Sequence, residues 1–193
     1  MTTRGGIRMK REITVIVMFV VVFGLKPGKA QQVVQTDWTI FLRRAGLVRF
    51  GMSLSEVRRI IGDPTASLYV SDPDDPLGDR GCTYLESRRL PEHIGLMFDN
   101  RRFVRVDISS RSVAQTASGA RVGDPEERIK TLYGGQIRVE PHHYDPENGH
   151  YLIFVPKDLS DQSYGIVFET DGKRVTQFRV GLSTATALVE GCS

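Results

Sequence analysis

Two stretches of this chain have the same length and the same punctuation, 72 residues apart. Arg49–Gly62 reads R-F-G-M-S-L-S-E-V-R-R-I-I-G, and Arg121–Gly134 reads R-V-G-D-P-E-E-R-I-K-T-L-Y-G. Gly51 matches Gly123 and Gly62 matches Gly134, both at a spacing of 72. The apolar set Val57, Ile60 and Ile61 matches Ile129, Leu132 and Tyr133. A fixed period of this kind indicates duplication of one supersecondary unit, which buries its apolar face against its copy. That restricts the architecture before any other feature is considered.

Each copy opens with a helix. In the first, Ser53 is an N-cap with Glu56 three residues on, the pattern that satisfies otherwise orphaned N–H groups. Leu54, Val57, Ile60 and Ile61 form one helical stripe. Gly62 suits the left-handed position past the helix end, and Pro64 prevents continuation. In the second copy, Asp124 is the expected cap, Pro125 the first helical residue, Glu127 the third, and Gly134 the stop.

After each helix the apolar period shortens to that of strands. Ile94–Phe98 turns through Asp99-Asn100-Arg101 into Arg102–Ile108. Gly165–Glu169 turns through Thr170-Asp171-Gly172-Lys173 into Arg174–Val180, and Asp-Gly between apolar runs is a hairpin signal. The second turn reads as a two-residue insertion relative to the first. Further strands are expected at Ser67–Val70, Thr83–Ser87, Ile137–Glu140 and Tyr151–Val155. Trp38–Leu42 is expected to dock on the first copy. The fold class is therefore α+β: two tandem helix-plus-antiparallel-sheet repeats forming one helix-backed sheet. The first repeat covers residues 31–112, a small polar linker 113–119, and the second repeat 120–193.

Residues 1–30 are set apart as a signal peptide. Arg4, Arg8, Lys10 and Arg11 form a basic region, Ile13–Leu25 an apolar run, and Gly28-Lys29-Ala30 a small-residue cleavage site. The run is shorter than the roughly 18–20 residues that span a bilayer, which opposes the alternative of an uncleaved anchor. No stable membrane span is expected after cleavage. The segment holds six bases and one acid of the chain's 26 and 23, so the remainder carries 20 and 22, a net charge of −2. With no basic excess left, nucleic acid is not an expected partner. A periplasmic or secreted location follows. In that setting the even cysteine count, Cys82 and Cys192, predicts a disulfide.

The string F-G-M-S-L-S-E-V-R-R-I-I-G-D-P, followed by Tyr84 on a strand and by L-M-F-D-N-x-x-F-V, resembles the SmpA/OmlA family. These are small envelope modules of bacterial outer-membrane assembly. The duplicated form also resembles the β-lactamase inhibitory protein fold, in which two such units set one continuous sheet against a target enzyme. The resemblance covers most of Phe50–Ile108 and, more weakly, Val122–Val180. It implies a non-catalytic binding module. The chain departs from the SmpA/OmlA pattern in having no cysteine after the apolar run for lipid attachment.

Alternation assigns the strand faces. Val104, Val106, Ile108, Thr176, Phe178 and Val180 are expected under the helices. Phe103, Arg105, Asp107, Val175, Gln177 and Arg179 are expected on the opposite face, a surface mixing charge with apolar bulk. With Tyr84 and Tyr151 beside them they form the candidate interface, because arginine and aromatic residues concentrate binding energy. The expected function is protein binding in the cell envelope, as a scaffold or assembly accessory, without catalysis and without a cofactor. The alternative is inhibition of a secreted or periplasmic enzyme by a loop such as Ser71–Gly81.

A third class is a thiol- or metal-dependent enzyme. Cys82 with His93 or His150 would supply a thiol nucleophile and its base. His142, His143 and His150, near Glu140, Asp145 and Glu147, carry zinc-type donors but lack the His-Glu-x-x-His spacing. The acidic loop Asp72–Asp79 lacks the order of a calcium-binding EF-hand.

Overall fold

The first helix forms where its caps dictate. In the computed structural model, α1 spans Leu54–Ile61; the Ser53 hydroxyl accepts from Glu56 N, and the Glu56 carboxylate accepts from Ser53 N. Gly62 follows in the left-handed region at φ 72° and ends it. The second helix, α2, spans Glu126–Leu132 and starts one residue later than expected. Pro125 occupies the cap position and offers no side-chain bond. The Asp124 carboxylate does not cap; it accepts from Arg121 N and pairs with Arg128 at 3.2 Å.

The structure describes residues 38–69 and 81–192, together with Met1. The proposed signal segment and the acidic loop of residues 72–79 lie outside them. All described strands and helices fall in one compact unit, Gln35–Ser193. No helix among the described residues is long and apolar enough to cross a membrane.

The architecture is mixed and strand-rich. A small antiparallel sheet comprises β1 (Ile40–Phe41), β2 (Arg44–Ala45) and β3 (Val48–Arg49). It was not expected, because strands of two residues carry no readable alternation. Ile40 N donates to Gln115 O and Ala117 N to Ile40 O, so this segment docks on residues 113–119. That stretch, read as a polar linker, buries Ala114 and Thr116, and the Tyr133 hydroxyl bonds the Thr116 hydroxyl at 2.9 Å.

The large sheet has eight antiparallel strands: β4 (Ser67–Leu68), β5 (Thr83–Glu86), β6 (Ile94–Asp99), β7 (Arg102–Ile108), β8 (Ile137–Pro141), β9 (His150–Phe154), β10 (Tyr164–Thr170) and β11 (Val175–Leu182). Their order is β4-β5-β6-β7-β11-β10-β9-β8. Leu54, Val57 and Ile61 of α1, and Ile129 of α2 with Tyr133 at its end, share a core with Leu96, Phe98, Phe103, Val106, Ile108, Ile166, Phe168, Phe178 and Val180. A short helix, α3 (Ser183–Thr186), packs on the other face.

The spacing of 72 continues through the hydrogen bonding. Gly51 N donates to Phe103 O and Gly123 N to Val175 O, at 2.7 and 2.8 Å. Arg102 Nη1 donates to Gly51 O and Arg174 Nη1 to Gly123 O. Ile94 pairs with Ile108 as Ile166 pairs with Val180, and Leu96 with Val106 as Phe168 with Phe178. The expected two-residue insertion in the second turn is therefore absent: both hairpins keep one register.

Both hairpins also carry a bulge at the same place, between Met97 and Phe98 and between Glu169 and Thr170. The extra residues, Val104 and Thr176, shift the alternation by one. Four expected assignments reverse as a result. Phe103 and Val175 lie in the helix-side core. Val104 packs on the opposite face with Met97 and Ala185, while Thr176 is exposed and borders a cleft there.

Gly51 and Gly123 both sit at positive φ, 88° and 87°, with open space where a Cβ would go. Gly51→Ala and Gly123→Ala are each expected to lower stability by about 1–2 kcal/mol, from backbone strain alone. Chemical denaturation measures both. Matched roles require the two losses to be near-equal.

Candidate functional site

The candidate interface residues rise from β5, β7, β9 and β11, but they do not form one open surface. β7 and β11 lie side by side, with Arg179 opposite Asp107 and Gly181 opposite Arg105. After β11 the chain turns through α3 and runs as a strap, residues 187–192, back to β5, where Cys192 bonds Cys82. The predicted disulfide is present and closes a separation of 110 residues. Cys82 is thereby committed to a bond and is not a free nucleophile.

α3 and the start of the strap are gripped from below by the two arginines. Arg105 Nη1 donates to Ala185 O at 3.0 Å and to Leu188 O at 2.6 Å. Arg179 Nε donates to Thr186 O at 2.7 Å. These carbonyls lie in and just beyond α3, and Ala185 O also accepts from Leu188 N at 3.2 Å. Arg105 and Arg179 are only 4% and 5% exposed. They were expected as exposed recognition residues. They are instead buried, because α3 and the strap lie over them, 80 and 83 residues on from Arg105 but only 7 from Arg179.

Each buried guanidinium has its own carboxylate. Arg105 pairs with Asp107 at 2.7 Å, and the Tyr84 hydroxyl donates to the same carboxylate at 2.8 Å. Burial, and then the Asp107 charge, push the Tyr84 phenol well above its ordinary range. Arg179 is bonded to Glu169, which also accepts from Gln177 Nε2 at 2.7 Å. His142 Nε2 lies 3.4 Å from Glu169, and its ring packs on Tyr151 at 4.7 Å. Glu169 was missed by the sequence reading. Its one signal was a lone carboxylate ending the apolar run Gly165–Phe168, on the strand next to Arg179.

The strap and α3 divide the face into clefts. One, of about 500 Å³, is polar and lies among Tyr84, Asp107, His142, Tyr144, Gln177 and Glu190. A second, of about 420 Å³, is more apolar and is bordered by Ile153, Val155, Val167, Ala187 and Val189. A third, of about 370 Å³, lies between Met97, Val104, Leu182 and Leu188 beside the disulfide. The polar cleft keeps Tyr84, Arg105, Asp107, Gln177 and Arg179 of the expected set, the two arginines buried in its wall, and Tyr151 borders the second.

The three histidines do not converge. His142 faces Glu169, and His143 meets Tyr144 edge to face at 4.7 Å. His150 Nδ1 lies 2.8 Å from Glu126 in the first turn of α2. Among the described residues, no group of three His, Cys, Asp or Glu side chains is placed to hold a metal. Loop Ser71–Gly81, apart from Gly81 itself, lies outside the described residues.

Glu126 is a second residue the sequence did not single out. It stands 72 residues after Leu54, which is buried in the apolar core. Glu126 is also buried, but in a polar nest: Thr170 Oγ1 donates to it, and Lys130 lies at 3.7 Å. Burial pushes its carboxyl up. Thr170, His150 and Lys130 together outweigh that and hold it below the ordinary carboxylate range.

Comparison of the chain with protein-family models, with curated proteins and with solved structures finds no match.

Two outcomes follow from this geometry. Cys82→Ser/Cys192→Ser is expected to cost about 2–5 kcal/mol of stability. It should also speed amide exchange in residues 187–191 while β10 and β11 keep their protection, read by hydrogen-exchange mass spectrometry. For Glu126, the depressed folded-state value means that its contribution is present above the unfolded carboxyl range and is lost as pH falls through the folded value. Glu126→Gln should therefore flatten the acid limb of stability against pH, measured by denaturant midpoints from neutral pH downward.

Proposed function

We propose that the protein is an exported, non-catalytic binding module of the cell envelope, a scaffold or assembly accessory built from two tandem α+β repeats. The repeat reading is supported by the spacing of 72 carried through glycines, registers and bulges. Export is supported by the basic and apolar pattern of residues 1–30, and the Cys82–Cys192 disulfide is compatible with it. The resemblance to SmpA/OmlA modules points to the same setting.

The observation that carries the binding reading is the polar cleft beside the strap. It offers Tyr84, held through Asp107 by the ion pair of the buried Arg105, and Tyr144, exposed at the rim. An aromatic anchor fixed as Tyr84 is loses little conformational entropy when a protein partner docks. The partner would meet chiefly Tyr84, Tyr144, Gln177 and Thr176, because Arg105 and Arg179 line the cleft but expose little of themselves.

Crosslinking capture from a native envelope fraction tests the reading, with the chain from Gln31 as bait. The control is Tyr144→Ala/Thr176→Arg, both exposed positions. A partner held by the first and bound at least about tenfold more weakly by the second supports the cleft as the binding face. Equal capture moves the binding surface elsewhere. If the captured partner is an enzyme that loses activity in the complex, the inhibitor reading replaces the scaffold.

A further inference from the structure

One edge of the large sheet is β8, and no described strand lies beyond it. Its backbone polarity can be assigned. Val155 N donates to Gln136 O and His142 N donates to Gly149 O, so the even-numbered residues of β8 bond to β9. By the alternation of an antiparallel ladder, the N–H and C=O groups of Ile137 and Val139 point outward. Val139 is 45% exposed, large for an aliphatic side chain in a strand. An unpaired row of this kind is a template for another strand.

We propose that β8 pairs antiparallel with β8 of a second copy of this chain, about a two-fold axis through Val139, joining two sheets edge to edge. The occupant is set by charge. Arg138 and Glu140 flank Val139 and pair with each other at 2.9 Å within one copy, and with side chains 62% and 46% exposed they remain open to exchange that partner for its equivalent in a second copy. In the register centred on Val139, Arg138 of each copy lies opposite Glu140 of the other. Shifting the register by two residues either way sets Arg138 against Arg138, or Glu140 against Glu140. Like charges directly opposite one another are destabilising, so the chemistry selects one register. In that register Val139 N–H donates to Val139 C=O in both directions, and Ile137 N–H donates to Pro141 C=O. Pro141 has no N–H to donate, so Ile137 C=O receives no bond in return and the ladder ends there. The interface is isologous, as a two-fold dimer requires. It rests on one strand pair and a few side chains, below the roughly 800 Å² per partner of a standard stable interface, so the dimer is weak and concentration-dependent.

This surface is distinct from the polar cleft and does not depend on the proposed function. Sedimentation equilibrium on the chain from Gln31, from low to high micromolar concentration, tests it. The native chain should form dimers. Arg138→Glu and Glu140→Arg, each placing like charges opposite one another, should weaken dimerisation by at least about tenfold. The exchange variant Arg138→Glu/Glu140→Arg restores opposite charges and should return to within about threefold of the native constant. In parallel, amide exchange at Ile137 and Val139 should slow as the dimer forms. A monomer throughout the range overturns the proposal. So do dimers that ignore the single charge reversals, an exchange variant that fails to recover, or dimers in which those two amides stay unprotected.

Discussion

The pairing of β7 with β11 is the contact on which the rest depends. It runs from Ile108 opposite Phe178 to Arg105 opposite Gly181 and joins two four-stranded halves into one sheet. Without it each half would end in an open strand edge and half a core. The approach at its far end is close. A Cβ on Gly181 would fall 2.3 Å from Val104 O, so only glycine fits there. Phe168, Phe178, Val106 and Val180 then interlock beneath α1 and α2 in a core common to both halves.

The opposite face is organised by electrostatics. Two guanidiniums on the joined strands are buried, and a buried charge is tolerated when it is paired and fully hydrogen-bonded. Asp107 and Glu169 supply the pairing, and carbonyls of α3 and the strap take the remaining donors. Removing one partner of such a pair leaves the other uncompensated, at a cost of about 3–5 kcal/mol. The same groups that hold the strap therefore hold the walls of the polar cleft.

Local signals were legible where the chemistry is local. The capping box at Ser53, the stop at Gly62 and the strand runs act within a few residues, and the period of 72 needs only matched spacings to be read. The bulges were not legible, because an extra residue is defined only by its partner strand. Phe103 and Val104 therefore exchanged faces, as did Val175 and Thr176. Arg105 and Arg179 looked exposed because the segment that covers them, S-T-A-T-A-L-V-E-G, has no strong pattern of its own. Asp124 looked like a cap because its competing partners, Arg121 N and Arg128, are visible only in three dimensions. The disulfide could be foreseen from the cysteine count and the expected compartment, but not the path by which it draws the strap across the sheet.

That path has a mechanical consequence. Large antiparallel sheets twist progressively from strand to strand, and thermal motion changes the angle between their ends. Here the strap leaves the sheet at the end of β11, crosses β7 and ends in a covalent bond beside β5. It works as a tie-rod across the seam. Flexing the two halves about β7 and β11 stretches a segment whose far end cannot slide. The halves accordingly move as one stiff plate, and a body that docks on either side of the strap meets a surface whose curvature is already set.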